Sequence, residues 1–311
     1  MLKRLPMAEL MLFAVAMVWG CSYGVAKIAL FYYPVLGFLA LRFGLTFFIL
    51  LPSLSNFRSL EVKNAWRIGL PLGLILLAIF LCETYGITLT SASNAAFLIS
   101  LCVVLTPLVE WLVLKQAPNS YTLGAIALAL LGAILLMPNL GLNFSFSFSF
   151  NPGDCLILAA AVLRAFFMVQ SKRLTQHQQL STLALTAVQS GVLMLGCLSL
   201  AALSPSGLPA LPQALVFWGA TLFLVLFCTL FAFFAQNYAI RRSNPTKVAL
   251  LLGSEPAFGA LFAVLFLGEH LSAQALLGGS LIVVASLAAS LQAPIKKSKL
   301  FGQLIGRQLN S

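Results

Sequence analysis

The sequence predicts an all-α, polytopic membrane protein of ten transmembrane helices arranged as two inverted five-helix repeats, and three observations carry that reading. Of 311 residues, 61% are hydrophobic and only 8% charged, with a mean hydropathy of +1.02, far from the composition of a soluble domain. Ten apolar stretches of about 20 residues, each long enough to cross a bilayer, follow one another with short breaks. They form two groups of five that resemble one another, and because five is odd, a second copy must enter the membrane upside down.

The expected spans are 7–27, 34–53, 67–87, 91–114, 120–138, 153–171, 181–203, 214–240, 244–267 and 272–291. Turn and breaker residues mark the junctions: Tyr33-Pro34, Ala117-Pro118-Asn119, Asn151-Pro152-Gly153, Ser204-Pro205-Ser206-Gly207 and Ser243-Asn244-Pro245. The organisation that follows is a first five-helix repeat over 1–143, an outer connecting loop over 144–152, a second repeat over 153–291 and a basic cytoplasmic tail over 292–311. The alternating Phe/Ser run from Phe144 to Phe150 falls in the connecting loop and reads as an interfacial aromatic anchor, with a strand as the other reading.

Charge fixes the expected orientation. The net charge of +11 comes from basic residues scattered singly or in pairs, so no continuous face exists to hold nucleic-acid phosphates. With the N-terminus in the cytoplasm, Lys3, Arg4, Arg58, Lys63, Arg67, Lys115, Lys172, Arg173, Arg241, Arg242, Lys296, Lys297, Lys299 and Arg307 all fall on the inner side. The outer loops collect little beyond Lys27, which places both termini inside. Lys3-Arg4 followed by an apolar run with Ala14-Val15-Ala16 gives a weak signal-peptide match, rejected because the apolar run continues and the repeat requires that helix.

The repeat aligns Lys115 with Glu269 and Gly124 with Gly278 at a shift of about 154 residues, and Tyr85 with Tyr238 at nearly the same shift. Earlier helices align at a smaller shift, with Lys27 opposite Lys172 and Arg42 opposite Gln189.

Enzyme chemistry finds little support. Asp154 is the only aspartate, which excludes paired-Asp catalysis and Asp-rich metal motifs within the chain. His177 and His270 stand alone in loops, with no HExxH motif, and no GxxxxGK[ST] phosphate loop is present. The six cysteines lie in or beside apolar spans without a CxxC pair and read as small buried hydrophobes. No metal and no cofactor are expected.

Trp19-Gly20 followed by Lys27 in span one, Arg42 in span two, Ser254-Glu255-Pro256 in span nine and the closing Leu267-Gly268-Glu269 occur in that order. In this the chain resembles the drug/metabolite transporter superfamily, and specifically its EamA-type ten-span members, over nearly its whole length. The resemblance implies a central cavity ringed by spans one, three, four, six, eight and nine. The first half departs from the pattern: Cys102 stands where a counterpart of Pro256 would fall, and Lys115 where Glu269 would suggest an acid.

A charge at mid-membrane depth costs several kcal/mol unless paired or facing a cavity. Arg164 and Glu255 each lie about 11 residues into spans that cross in opposite directions, roughly 16 Å deep at ~1.5 Å per residue. The two charges are therefore expected to meet across the cavity. Arg164 would hold a substrate carboxylate or release Glu255 on binding; a permanent structural pair is the other reading. Trp19, Ser22, Tyr23 and Ala26 form a stripe on span one suited either to stacking on substrate or to packing, and Gly20 with Gly24 suits close helix contact. Tyr85, Asn94, Gln236, Tyr238 and Lys247 complete the candidate substrate-binding set, with Lys247 at the inner mouth able equally to snorkel to headgroups. Lys27 and Glu83 are the candidate outer gate, as a salt bridge or as separately solvated groups. Arg42 reads as structural, and Glu9, Glu110 and Glu269 as solvated or capping residues near helix ends.

The functional expectation is a secondary transporter of a small organic metabolite, moved by alternating access of two inverted halves about a midplane site. Export of amino acids or related compounds is what the resemblance implies, in a bacterial inner membrane. An uncoupled facilitator or exchanger and a non-transporting scaffold are the alternatives. The expected partners are a small-molecule substrate and membrane lipids, with proton coupling and a homodimer left open and no nucleic acid.

Overall fold

Helix is the only regular structure among the described residues, as the near-continuous apolar patterning requires: in lipid every backbone polar group must be satisfied within its own segment. The computed structural model describes residues 7–56, 58–90, 95, 98–136, 151–204, 207–259, 261 and 273–291. We number the helices α1 (Met7–Tyr32), α2 (Val35–Leu50), α3 (Leu60–Leu89), α4 (Cys102–Leu114), α5 (Ser120–Leu136), α6 (Pro152–Thr175), α7 (Thr182–Leu203), α8 (Leu215–Arg242), α9 (Pro245–Leu252) and α10 (Ala273–Leu291).

Helices α1, α3, α6, α7 and α8, together with α2 extended through a 3₁₀ turn to Leu54, are each long and apolar enough to cross a membrane. The outward face of the bundle agrees. Phe31, Phe48, Leu74, Leu195, Leu203 and Leu215 all project from it, Leu215 with 86% of its surface open. A bundle that turns so much large apolar surface outward is solvated by lipid tails, so the protein is an integral membrane protein.

Local sequence explains how the helices begin. Ser59 accepts from the Val62 amide at the start of α3, and Ser181 from the Ala184 amide at the start of α7. Asn151 and Asp154 form a reciprocal capping box around Pro152 at the start of α6. Asn244 accepts from the Lys247 amide ahead of α9, with Pro245 in the first turn.

Helices α8 and α9 depart from regular α geometry where they border the centre of the bundle. Residues Leu224–Phe231 of α8 form a π-helical stretch. Helix α9 stops at Leu252, turns at Gly253 and Ser254, and resumes over 255–259. Pro256 has no amide hydrogen to continue the α9 ladder, while the Ser254 hydroxyl and amide both donate to the Leu251 carbonyl.

The packing is regular across the molecule. Helix α3 packs along α6 and α7, while α8 packs along α1 and more lightly along α2; α2 lies on α7, α4 on α9, and α5 on α10. Exchanging α1–α5 for α6–α10 leaves this set of neighbours unchanged. Helices α1 and α6 run in opposite directions, because the end of α1 meets the start of α6. There Lys27 Nζ donates to the Thr90 carbonyl at 3.1 Å and Thr90 Oγ1 donates to Asp154 Oδ1 at 2.5 Å.

Candidate functional site

Arg164 is the hub of the buried centre. It projects from the middle of α6, 8% exposed, among the small and apolar residues Ala160, Ala161, Ala165 and Met168. Its guanidinium meets three other helices. Nη1 lies 3.5 Å from Glu255 Oε2 at the break after α9, and Nη2 lies 3.8 Å from Glu83 Oε2 on α3. The Trp19 ring on α1 covers its face at 4.8 Å. Both ion pairs are longer than the ~2.7–2.9 Å of a tight charge-assisted hydrogen bond, so the cation is held loosely between two carboxylates.

The expected meeting of Arg164 and Glu255 is therefore present in the geometry, and Glu83 joins it. Glu83 was expected near the mouth, opposite Lys27. Instead α3 runs on to Leu89, which leaves Glu83 about two turns inside the helix end, and Lys27 is engaged with the Thr90 carbonyl. The signal was available in the sequence: Leu76, Phe80 and Ile87 precede and follow Glu83 at helical spacing, and all are buried.

Tyr23 lies one turn beyond Trp19, 4% exposed, beside Glu255, Glu83 and Arg164. Its hydroxyl faces Glu255 without a well-formed hydrogen bond, and Glu83 Oε2 likewise accepts none. A narrow cleft opens onto the same centre, lined by Ser100, Cys102, Arg164, Gly253, Glu255 and Pro256 among others. Cys102 thus stands at the site in α4, facing the α9 break.

Trp19 is fixed from behind by α8. Its indole Nε1 donates to the Cys228 carbonyl at 2.9 Å, within the π-helical stretch, where altered i→i+5 pairing turns a carbonyl outward. Arg42 Nη2 reaches the same carbonyl at 3.4 Å, its Nε donates to Thr229 Oγ1 at 2.7 Å, and the rings of Phe43 and Phe80 flank it. Close approach of α1 to α9 depends on Gly20: a Cβ there would stand 2.6 Å from the Gly259 nitrogen and 2.7 Å from the Glu255 carbonyl oxygen. Gly24, expected to serve the same contact, has open space beside it.

Other expected site residues lie elsewhere. Tyr85 is 39% exposed, because two residues turn a helix through about 200° and carry it away from the Glu83 face. Tyr238 stacks on Phe234 and lies under the Arg242 guanidinium at the end of α8. The Ser22 hydroxyl donates to the Trp19 carbonyl of its own helix. Gln236 is buried in α8, and its neighbour Asn237 donates to Thr186 and Gln189 of α7. Asn94, Glu269, His270 and the Phe144–Phe150 run lie outside the described residues.

Lys247 forms a 2.5 Å ion pair with Glu9, joining the starts of α1 and α9. Glu110, near the end of α4, accepts from the Thr246 amide at 2.9 Å and from the Thr246 hydroxyl. Glu9 and Glu110 are 6% and 4% exposed, so neither is solvated, while Glu110 does cap a helix end, that of α9, through the Thr246 amide of its first turn. Both tie α9 down at the end of the bundle where α1 begins.

Comparison with known proteins agrees with this architecture. The sequence profile of the EamA-like transporter family matches residues 6–137 and again residues 151–291. An "Uncharacterized transporter" of Archaeoglobus fulgidus is 29% identical over 293 residues, covering 93% of this chain and 87% of that protein. The "Uncharacterized transporter YyaM" of Bacillus subtilis is 24% identical over 288 residues, covering 90% and 92%. A solved structure described only as "Crystal structure of protein" superposes with a TM-score of 0.71 at 19% identity, over 98% of this chain and 99% of that one, which is a likeness of fold. With the profile matched twice along nearly the whole length, the chain belongs to the EamA-like transporter family.

Proposed function

We propose that the protein is a secondary transporter of a small organic metabolite, in which substrate enters a central site by competing for the contacts of Arg164. The observation that carries this is the loosely paired guanidinium between Glu83 and Glu255, buried among four helices and open to a cleft. A static structural pair gains most from short, bidentate geometry; long pairs around one cation suit partners that exchange. The broken helix at Glu255 and the π-helical stretch behind Trp19 supply irregular backbone where it lines a cavity.

Alternating access of two inverted halves is the mechanism we assign. It is supported by the twice-matched profile, the opposite directions of α1 and α6 and the exchange symmetry of the packing. The ties of α9 to Glu9 and Glu110 then close one mouth, and substrate release through that mouth requires them to part. The distribution of Lys and Arg supports a cytoplasmic side for that mouth and both termini, and the family resemblance supports a bacterial inner membrane as the setting. Transport of amino acids or related compounds, outward, follows the family resemblance. The centre has no assigned catalytic step.

The test is solute flux in sealed proteoliposomes. Counterflow of a metabolite that is lost in Arg164→Ala and Glu255→Gln, with both variants still folded, supports the site; unchanged flux in both sinks it. Flux that follows an imposed pH gradient supports proton coupling, and gradient-independent exchange supports a facilitator.

A further inference from the structure

We propose that the hydrogen bond from Thr90 to Asp154 is the latch of the outer mouth, the counterpart of the Glu9–Lys247 tie, and the weaker of the two. This rests on the transporter reading above and adds which residues hold the second mouth and which mouth opens first. Both bonds join one half of the molecule to the other. Glu9 of α1 pairs with Lys247 of α9 at the inner end, and the Thr90 hydroxyl after α3 donates to Asp154 Oδ1 of α6 at the outer end.

The two ends are built from matching positions. Glu9 and Asp154 stand 145 residues apart in the chain, as do Lys27 and Lys172. Each acid lies in the first turn of its helix. Each lysine donates to a main-chain carbonyl where a helix of its own half ends: Lys27 to Thr90 at 3.1 Å, Lys172 to Arg241 at 3.0 Å. Thr90 and Ser243 close α3 and α8 in the same extended conformation, at φ −126° and −124°, with their amides bonded to Gly86 and Ala239. The lysines thus position the helix ends, and the acids reach across the halves.

Glycines let the outer ends meet. A Cβ at Gly153 would stand 2.8 Å from Leu89 Cβ and 2.9 Å from the Gly86 carbonyl oxygen. Thr90 and Asp154 are 7% and 6% exposed, so water competes little for their bond. With both latches made, Trp19, Tyr23, Arg164 and Glu255 lie buried between them, and the structure is the occluded state.

The latches differ in what parting them costs. Opening the inner mouth separates two opposite charges and takes Glu110 from the Thr246 amide. Opening the outer one parts a neutral hydroxyl from a carboxylate that keeps the Asn151 amide as a donor. Separating two largely buried charges is the more expensive step in a low-dielectric interior. The outer mouth therefore opens first.

Cys102, which lines the central cleft, is the reporter. Right-side-out and inside-out membrane vesicles carrying the full chain are treated with a membrane-impermeant cationic methanethiosulfonate, and modification of Cys102 is followed by mass spectrometry. In the parent, the rate from the outer face exceeds that from the inner face. Thr90→Val keeps the shape and loses the donor, and raises the outer-face rate about fivefold, the factor that one hydrogen bond supplies, with the inner-face rate unchanged. Thr90→Ser restores the hydroxyl and labels as the parent does, while Lys247→Met speeds labelling from the inner face. Size exclusion and the apparent Tm establish that each variant is folded; if Thr90→Val is not, Asp154→Asn, with Asn151 still capping α6, carries the same expectation. An outer-face rate unmoved by Thr90→Val, acceleration from the inner face or from both, or Thr90→Ser labelling like Thr90→Val would overturn the latch. A parent labelled faster from the inner face would overturn the order of opening. Metabolite flux with Cys102 labelling indifferent to Thr90 removes the latch and leaves the transporter; latch-dependent labelling without counterflow of leucine, threonine or phenylalanine leaves the latch and counts against the transporter.

Discussion

The Arg164 guanidinium lies 4.8 Å from the centroid of the Trp19 ring, and the two residues stand equally far from the starts of the two segments that match the family profile. One half contributes an aromatic face where the other contributes a cation, and they meet at the centre of the bundle. Replacement of Trp19 separates the two supports it gives. Trp19→Phe keeps a ring over Arg164 but loses the Nε1 bond to Cys228, a net cost of about 0.5–1.5 kcal/mol. Trp19→Leu also removes the cation–π contact, worth about 1–2 kcal/mol when desolvated. Proteoliposome flux should therefore fall less than about tenfold in Trp19→Phe and distinctly further in Trp19→Leu. Equal loss in the two variants would show that the ring face over Arg164 has no part in the site.

Much of this arrangement could be read from sequence because lipid restricts the choices so severely. Apolar stretches had to be helices, and a lone Arg164 in one of them had to find a counter-charge. Glu255 was recoverable because depth along a straight helix is simple arithmetic. Glu83 was not placed correctly because α3 runs past the boundary that hydropathy suggested, and a shift of a few residues moved the carboxylate from the mouth to the centre. Tyr85, a candidate for the centre that aligns with Tyr238 in the repeat, is turned away by the same helical phase that buries Glu83. The π-helical stretch had no signal in Leu224–Phe231, an unbroken apolar run. Its Cys228 carbonyl accepts tertiary hydrogen bonds from Trp19 and Arg42, contacts that no local pattern announces.

Gly20 tests whether α1 and α9 must touch. A methyl group at this position would meet backbone atoms of Gly259 and Glu255, which cannot rotate aside as a side chain could. Gly20→Ala should lower stability by about 1–3 kcal/mol and displace Glu255, so flux falls together with apparent Tm. Gly24→Ala, on the same helix with open space beside it, should leave both nearly unchanged. Parity between the two substitutions in a thermal melt would contradict the close crossing.

Glu9 and Lys247 should behave as a unit. Each is largely buried, and removing one leaves the other charge poorly compensated, at a cost of about 1–3 kcal/mol given their residual exposure. Glu9→Gln and Lys247→Met should each lower the apparent Tm, and the double variant should lose less than the sum of the two. Cysteines introduced at Leu250 should also label faster from the side where α1 begins, because the tie that holds α9 there has gone. Strict additivity of the melts with unchanged labelling would mean that the pair does not hold that mouth.

Arg42 offers the sharpest contrast between charge and shape. Its guanidinium is buried without a carboxylate within ion-pair distance among the described residues, held by a hydroxyl, a carbonyl and two aromatic rings. If it is removed, Thr229 Oγ1 still donates to the Leu224 carbonyl and the Cys228 carbonyl still accepts from Trp19, so few groups are orphaned. Arg42→Met, of similar reach and apolar, should therefore change stability by less than about 1 kcal/mol, since burying an ion is itself costly. Arg42→Lys keeps the burdensome charge but loses the planar fork and the stacking on Phe43 and Phe80, and should be about 2–3 kcal/mol less stable than the parent. Thermal melts of the two purified variants settle the order. A methionine variant less stable than the lysine variant would show that the positive charge of Arg42 is required where it lies.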